Sequence, residues 1–219
     1  QFDSDLHQIN TSLNDLSTQL SAIRGQYGES LASAKATSLA FAYFEKTIEL
    51  LELRIQTFVR TAEEMLSSDH GSSSHIEHEL TLLKTRWSAF HNQVVESRRL
   101  IDLSIQYFQL VEEAEEWFRE GSKLLLTIAR KSTTVKLPEE ATQLLNEVEY
   151  FLKPGETRQD ERIKQISKLA IELYGEERSK QVTLVLNENR EMLDSFTVIS
   201  LELSTLAKNL KAAEEEREQ

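Results

Sequence analysis

The sequence predicts an all-α fold: two tandem three-helix coiled-coil bundles joined by a continuous helical linker into an elongated rod. Three observations support this. Only 6 Gly and 2 Pro occur in 219 residues, below the usual rates of about 7% and about 5%, so the turn punctuation of a sandwich or a doubly wound sheet is missing. Apolar residues recur every three or four positions along most of the chain, the spacing of a buried helical stripe. No Gly or Pro interrupts the stretch from Ser72 to Glu120, a helix too long for one compact domain.

The first element opens the chain. Phe2, Leu6, Ile9, Leu13, Leu16, Leu20 and Ile23 alternate spacings of four and three, the apolar seam of a heptad, and predict a helix over about 2–24. Gly25 and Gly28 supply the backbone freedom for a stop and a turn. A second helix is expected over about 33–67, with Leu39, Phe44, Ile48, Leu51, Ile55, Phe58, Val59, Ala62 and Leu66 on one stripe.

Residues 69 to 78 read DHGSSSHIEH. Gly71 and the serines break the periodicity, and Ser74 followed by Glu77 has the form of a capping box, so the third helix is expected to start there. Its stripe passes through Ile76, Leu80, Leu83, Trp87, Phe90, Val94, Leu100, Leu103, Tyr107, Leu110, Ala114 and Trp117. Continued to Ala129, that is a helix of about 55 residues, roughly 80 Å long. Such a helix is expected to end one bundle and begin the next, over about 74–104 and about 105–130, with Leu100, Leu103, Ser104 and Tyr107 as the linker. The β-branched run before Pro138 ends it, and Pro138 with Glu139 and Glu140 suits a first helical turn. A helix over about 138–174 follows, with Pro154-Gly155 inside it, and after Gly175 a last helix over about 176–214, before the solvated EEEREQ end. The domain boundaries this gives are 1–104 and 105–219.

An internal repeat supports the division. Tyr43, Phe44, Lys46, Arg54 and Ile55 correspond to Tyr150, Phe151, Lys153, Arg162 and Ile163. The separation grows by one residue across Pro154-Gly155, as a one-residue insertion taken up by a kink or bulge would give. Trp87 and Phe196 are equivalent in the third helices. Three stretches, EEAEEWFREGSKLL, QDERIKQISKLAIEL and LLKTRWSAFHNQVVESRRLIDL, resemble the first, second and third helices of the spectrin-repeat family. The resemblance implies a structural core that includes Trp87, Trp117, Phe196, Ile55 and Ile163, and stacking of bundles through a shared helix. The first repeat departs from the pattern with Ile9 or a neighbouring leucine in place of the first-helix tryptophan.

Composition excludes several functions. No cysteine is present, so disulfides and thiolate metal sites are absent and a reducing, cytoplasmic setting is expected. A net charge of −12 opposes wrapping a phosphate backbone or lying on an anionic leaflet, which argues against nucleic acid and membrane contact. The longest apolar runs fall far short of a membrane span, and no leader is expected. In DHGSSSHIEH, a Ser-His-Asp site would need its members brought together from separate elements. His75 and His78 with Asp69 or Glu79 could contribute to a metal site but lack a third firm ligand. A loop carrying a phosphorylation site at Ser72, Ser73 or Ser74 is the expectation, with phosphate near a helix N-terminus. The run Glu112, Glu113, Glu115 and Glu116 reads as a solvated face, and Pro154-Gly155 as a tolerated kink.

No catalytic, cofactor-binding or metal-binding residue is assigned, and no glycine-rich phosphate loop or nucleophile elbow occurs. The resemblance implies a structural rod segment: a spacer and protein-docking module of a larger cytoplasmic, cytoskeleton-associated and actin-associated protein. Its partners would be other proteins and adjacent spectrin-like repeats, with the chain a monomer or an antiparallel dimer. A regulatory segment of an exchange factor or lipid-binding scaffold would share these features. A membrane-curving BAR-type dimer would also share the long helices, but it needs a clustered cationic face, and Lys and Arg number 25 against 37 Asp and Glu.

Overall fold

The computed structural model describes residues 1–68 and 73–219. Within them the chain is all-α, with five long helices: α1 (Phe2–Ile23), α2 (Leu31–Ser67), α3 (Ser73–Ser132), α4 (Pro138–Tyr174) and α5 (Lys180–Glu218). No strand occurs among the described residues. The chain divides into two compact units, Gln1–Ile105 and Gln106–Gln219, and α3 supplies residues to both.

In the first unit, α1 buries Leu6, Ile9, Leu13, Leu16 and Leu20, the heptad seam read from the sequence. On α2 the buried residues are Ala34, Phe41, Ile48, Leu51, Ile55, Phe58 and Ala62. Leu39 is not among them: it faces out, and Phe41 takes the inward position. Helical spacing alone could not separate the two faces, because α2 carries apolar residues on both. From α3 come Ile76, Leu80, Leu83, Phe90, Val94 and Ile101. Full burial of each such side chain stabilises the bundle by about 1.5–3 kcal/mol.

In the second unit, two clusters run along the axis of a three-helix bundle. One joins Ile128 of α3 to Leu144 and Val148 of α4 and to Met192, Phe196 and Leu203 of α5. The other joins Ala114 of α3 to Ile163, Ile166 and Ala170 of α4 and to Val182 of α5. Of the expected core residues, Phe196, Ile55 and Ile163 are buried, whereas Trp87 and Trp117 are half-buried. The indole is too large to be enclosed by neighbours of ordinary size.

The joints show how local chemistry sets the boundaries. Ser30 caps α2: its Oγ accepts from the Ser33 N–H at 3.1 Å, and the Ser33 Oγ accepts from the Ser30 N–H at 2.9 Å. The helix therefore starts at Leu31, ahead of the expected 33. Gly28 adopts φ +83, and a β-carbon there would lie 2.4 Å from the Ser33 Oγ, so both backbone and space require glycine. The third helix starts at Ser73, which places Ser74 in its first turn instead of at the cap. At α4, the Glu140 carboxylate accepts from the Leu137 N–H at 3.1 Å. Gly175 leaves α4 at φ +84, and a turn follows with bonds from Gln181 N–H to Arg178 O and from Val182 N–H to Ser179 O, both 3.1 Å. These three-residue bonds delay α5 to Lys180, later than the expected 176, while the helix-forming glutamates carry it to Glu218, past the expected 214. The helical assignment of α4 is continuous through Pro154 and Gly155.

Candidate interaction surfaces

Most of the DHGSSSHIEH segment is a helix start. Asp69, His70, Gly71 and Ser72 lie outside the described residues. Ser73 is half-buried and Ser74 exposed in the first turn of α3. His75 is engaged by α1. Its Nε2 lies 2.9 Å from Asp3 Oδ1 on α1, and its ring meets Phe2 edge-on at 6.1 Å. The Asp3 hydrogen bond raises the imidazole pKa above the ordinary 6.5. Among the described residues, no group of three His, Cys, Asp or Glu side chains is placed to hold a metal ion.

Near the other end of the first unit lies a cluster that the sequence did not reveal. The Arg98 guanidinium, on α3, donates from Nε to Glu45 at 3.0 Å, from Nη1 to the Ser38 Oγ at 2.9 Å and from Nη2 to the Ser38 carbonyl at 3.2 Å. Nη1 also reaches Asp102 at 3.2 Å, and the cation lies 5.0 Å from the centre of the Phe41 ring. A planar, five-donor group is the side chain suited to gather a carboxylate, a hydroxyl and a backbone carbonyl at once. It fastens α3 to α2 at the rim of the core. Arg98 and Arg99 are adjacent and alike in sequence; the available signal was that Arg98 falls beside the inward Ser97 and Ile101 and one turn before Asp102.

The linker residues follow. Leu100, Leu103 and Tyr107 are half-buried and Ser104 is buried, its Oγ donating to the Ile101 carbonyl at 2.6 Å. Burial raises the Tyr107 phenol above the ordinary 10, and its ring meets Tyr174 edge-on at 5.8 Å. The acidic run is partly paired within the second unit. Arg119 bonds Glu116 at 2.6 Å and holds its pKa below the ordinary carboxylate value, and Arg162 lies 3.4 Å from Glu113. Gln159, buried on α4, donates to the Ala114 carbonyl of α3 at 3.1 Å and accepts from Arg162.

Two grooves have apolar walls. One, of about 480 Å³, lies between α1 and α2 and is lined by Phe2, Ile9, Leu53, Phe58 and Met65. The other, of about 460 Å³, is bounded by Trp117, Tyr150, Phe151, Pro154 and Arg158.

The spectrin-repeat family model matches residues 1–101. This stretch is similar to a spectrin repeat. Coiled-coil domain-containing protein 141 of Homo sapiens is 22% identical over 203 residues, covering 88% of this chain and 13% of that protein. The protein of the same description from Rattus norvegicus is 21% identical over 216 residues, covering 94% of this chain and 14% of its own length. The chain thus spans about one seventh of the length of these relatives. The buried seam of α1 and, in the Arg98 cluster, Arg98, Glu45, Ser38 and Phe41 fall inside the matched residues, with Asp102 just beyond them. No described helix is long and apolar enough to cross a membrane. The chain is a helical scaffold or protein-interaction module, with faces and grooves suited to protein contact.

Proposed function

We propose that the second unit is also a spectrin-like repeat, that the repeats meet near residues 104 and 105, and that the chain serves as a spacer and protein-docking segment of a larger cytoplasmic, cytoskeleton-associated protein. The observation that best supports this is α3, whose 60 residues run without a break past the point where one compact unit gives way to the next. A continuous helix passes bending and melting from one repeat to its neighbour, which a flexible linker does not. Equivalent residues support the second repeat: Ile55 and Ile163 are both buried, and Tyr43 and Tyr150 are both exposed. The much greater length of the relatives supports a segment role, and the absence of cysteine suits a reducing compartment.

The reading is tested by Ser104→Pro. Proline removes a helical hydrogen bond and clashes with the preceding turn, at a cost of about 3 kcal/mol or more. The expected result is that one cooperative melting transition becomes two, while Ser104→Ala melts as one. A Ser104→Pro chain with a single transition and unchanged stability would show that the continuity of α3 carries no mechanical coupling.

A further inference from the structure

Tyr43 and Tyr150 hold equivalent positions in the two units, but their surroundings differ. The Tyr43 carbonyl faces the helical N–H of Thr47, and the Thr47 Oγ1 approaches the same oxygen at 3.4 Å. Pro154 stands at the matching fourth position and has no N–H to give. The Tyr150 carbonyl is thus left without its helical donor, and Gly155 follows directly. Local opening of the helix therefore costs less around Tyr150 than around Tyr43. The side chains differ as well. Lys46 lies over the Tyr43 ring at 5.9 Å. Tyr150 is 86% exposed, and among the described residues its side chain has no hydrogen bond, ion pair or ring contact. It stands between two open grooves, of about 460 and about 800 Å³, and lines both together with Pro154 and Arg158. Ala40 and Ala42 precede Tyr43, whereas Glu147 and Glu149 precede Tyr150. Of the other tyrosines, Tyr27 is buried, and Tyr107 and Tyr174 are half-buried against each other.

We propose that Tyr150 is a phosphorylation site for a tyrosine kinase with a cationic substrate groove. A kinase takes its substrate as an extended segment, so an acceptor within an unbroken helix is shielded, and one beside a missing helical bond is reachable by local opening. The Glu147 and Glu149 carboxylates supply the charge that such a groove selects. The phenol oxygen attacks the γ-phosphorus of ATP, the bond from that phosphorus to the bridging oxygen breaks, ADP leaves, and the phenol proton passes to the catalytic carboxylate of the kinase. The product carries about −1.5 to −2 charges on the tyrosine. Two cations lie on the same face to receive it when the helix closes: Lys153, one turn on and bonded to Glu149 at 3.2 Å, and Arg158, whose side chain has no partner among the described residues. The modification would thereby set the charge that a docking partner meets beside Trp117 and Phe151. It requires only the fold of the second unit and goes beyond the spacer role.

The test incubates the folded 219-residue chain with magnesium, ATP and a tyrosine-kinase catalytic domain that accepts the poly(Glu,Tyr) copolymer, and follows each tyrosine by peptide mass spectrometry. Tyr150 is expected to be labelled at least about tenfold faster than Tyr43 or any other tyrosine. Pro154→Ala returns the helical donor and should slow Tyr150 at least about threefold, the effect of one net hydrogen bond, with Tyr43 unchanged. Glu147→Gln combined with Glu149→Gln leaves the backbone as it is and should slow Tyr150 as well. Labelling of Tyr150 no faster than Tyr43, a Pro154→Ala rate equal to the parent rate or above it, or labelling of a free 143–158 peptide but not of the folded chain would each overturn the proposal. None of these results bears on the melting of Ser104→Pro, so the spacer role stands or falls separately.

Discussion

Trp117 lies flat on Phe151, with ring centroids 4.9 Å apart and planes 12° apart, and its indole Nε1 is 2.4 Å from where a β-carbon on Gly155 would stand. Phe151 in turn packs at 5.6 Å on Phe196, the fully buried ring of the second unit. The stack reaches from α3 across α4 to α5, and the missing side chain at Gly155 is what lets the indole approach α4.

The sign of a Gly155→Ala substitution should therefore be reversed. In an exposed helix interior, alanine is favoured over glycine by about 1 kcal/mol. Here the added methyl must displace the indole, so the variant should lose about 1–3 kcal/mol of stability in urea denaturation. In a Trp117→Leu background the same change should become neutral or stabilising. A wild-type background stabilised by alanine would show that the indole is not seated as described.

Arg98→Lys should cost about 1 kcal/mol, even though the charge is kept. An ammonium cannot serve Glu45, Ser38 and Asp102 in one plane while covering Phe41. Arg99→Lys, which alters a surface pair with Glu96, should shift stability by less than about 0.5 kcal/mol. Chemical denaturation of the two variants side by side reads the difference directly.

These relationships differ in how far the sequence discloses them. The α1 seam is a local pattern, and Leu6 to Leu20 could be read directly because each residue reports on a face of its own helix. The α2 stripe could be read only in part: Leu39 has the right spacing and the wrong face, because the outer seam follows the same periodicity as the inner one. The Ser30 cap was hidden because its partner is Ser33 where a capping box usually carries Glu or Gln. The start of α5 was hidden because the residues after Gly175 are good helix formers, and only the turn bonds delay it. Trp117 over Gly155 and Arg98 on Glu45 join residues far apart in the chain, and spacing within one helix carries no information about them.

Asn189 marks a weak point in the second unit. It sits on the inward stripe of α5, one turn from Val185 and Met192, and among the described residues its Oδ1 is buried without a hydrogen-bond partner. A buried acceptor left unmade costs about 1–3 kcal/mol. Asn189→Leu, close in volume and apolar, should raise stability by about 1 kcal/mol or more in thermal melting. A loss would mean that the amide contributes contacts that outweigh its orphaned oxygen.

The His75 and Asp3 pair makes the stability of the first unit depend on pH. The carboxylate favours the imidazolium, so the folded pKa stands above the ordinary 6.5. A raised pKa means that the folded state holds the proton more tightly than the unfolded chain. The stabilisation is then fully present below the unfolded value and is lost as pH rises through the folded one. Because both groups are exposed to solvent, salt should screen the effect. In an NMR titration the His75 ring protons should show a midpoint above 6.5, moving back toward it in Asp3→Asn, while in wild type, melting temperatures should fall as pH rises through that midpoint. A wild-type midpoint at or below 6.5 would mean that Asp3 does not hold the ring in solution, and that α1 is joined to the start of α3 through Phe2 and its apolar neighbours alone.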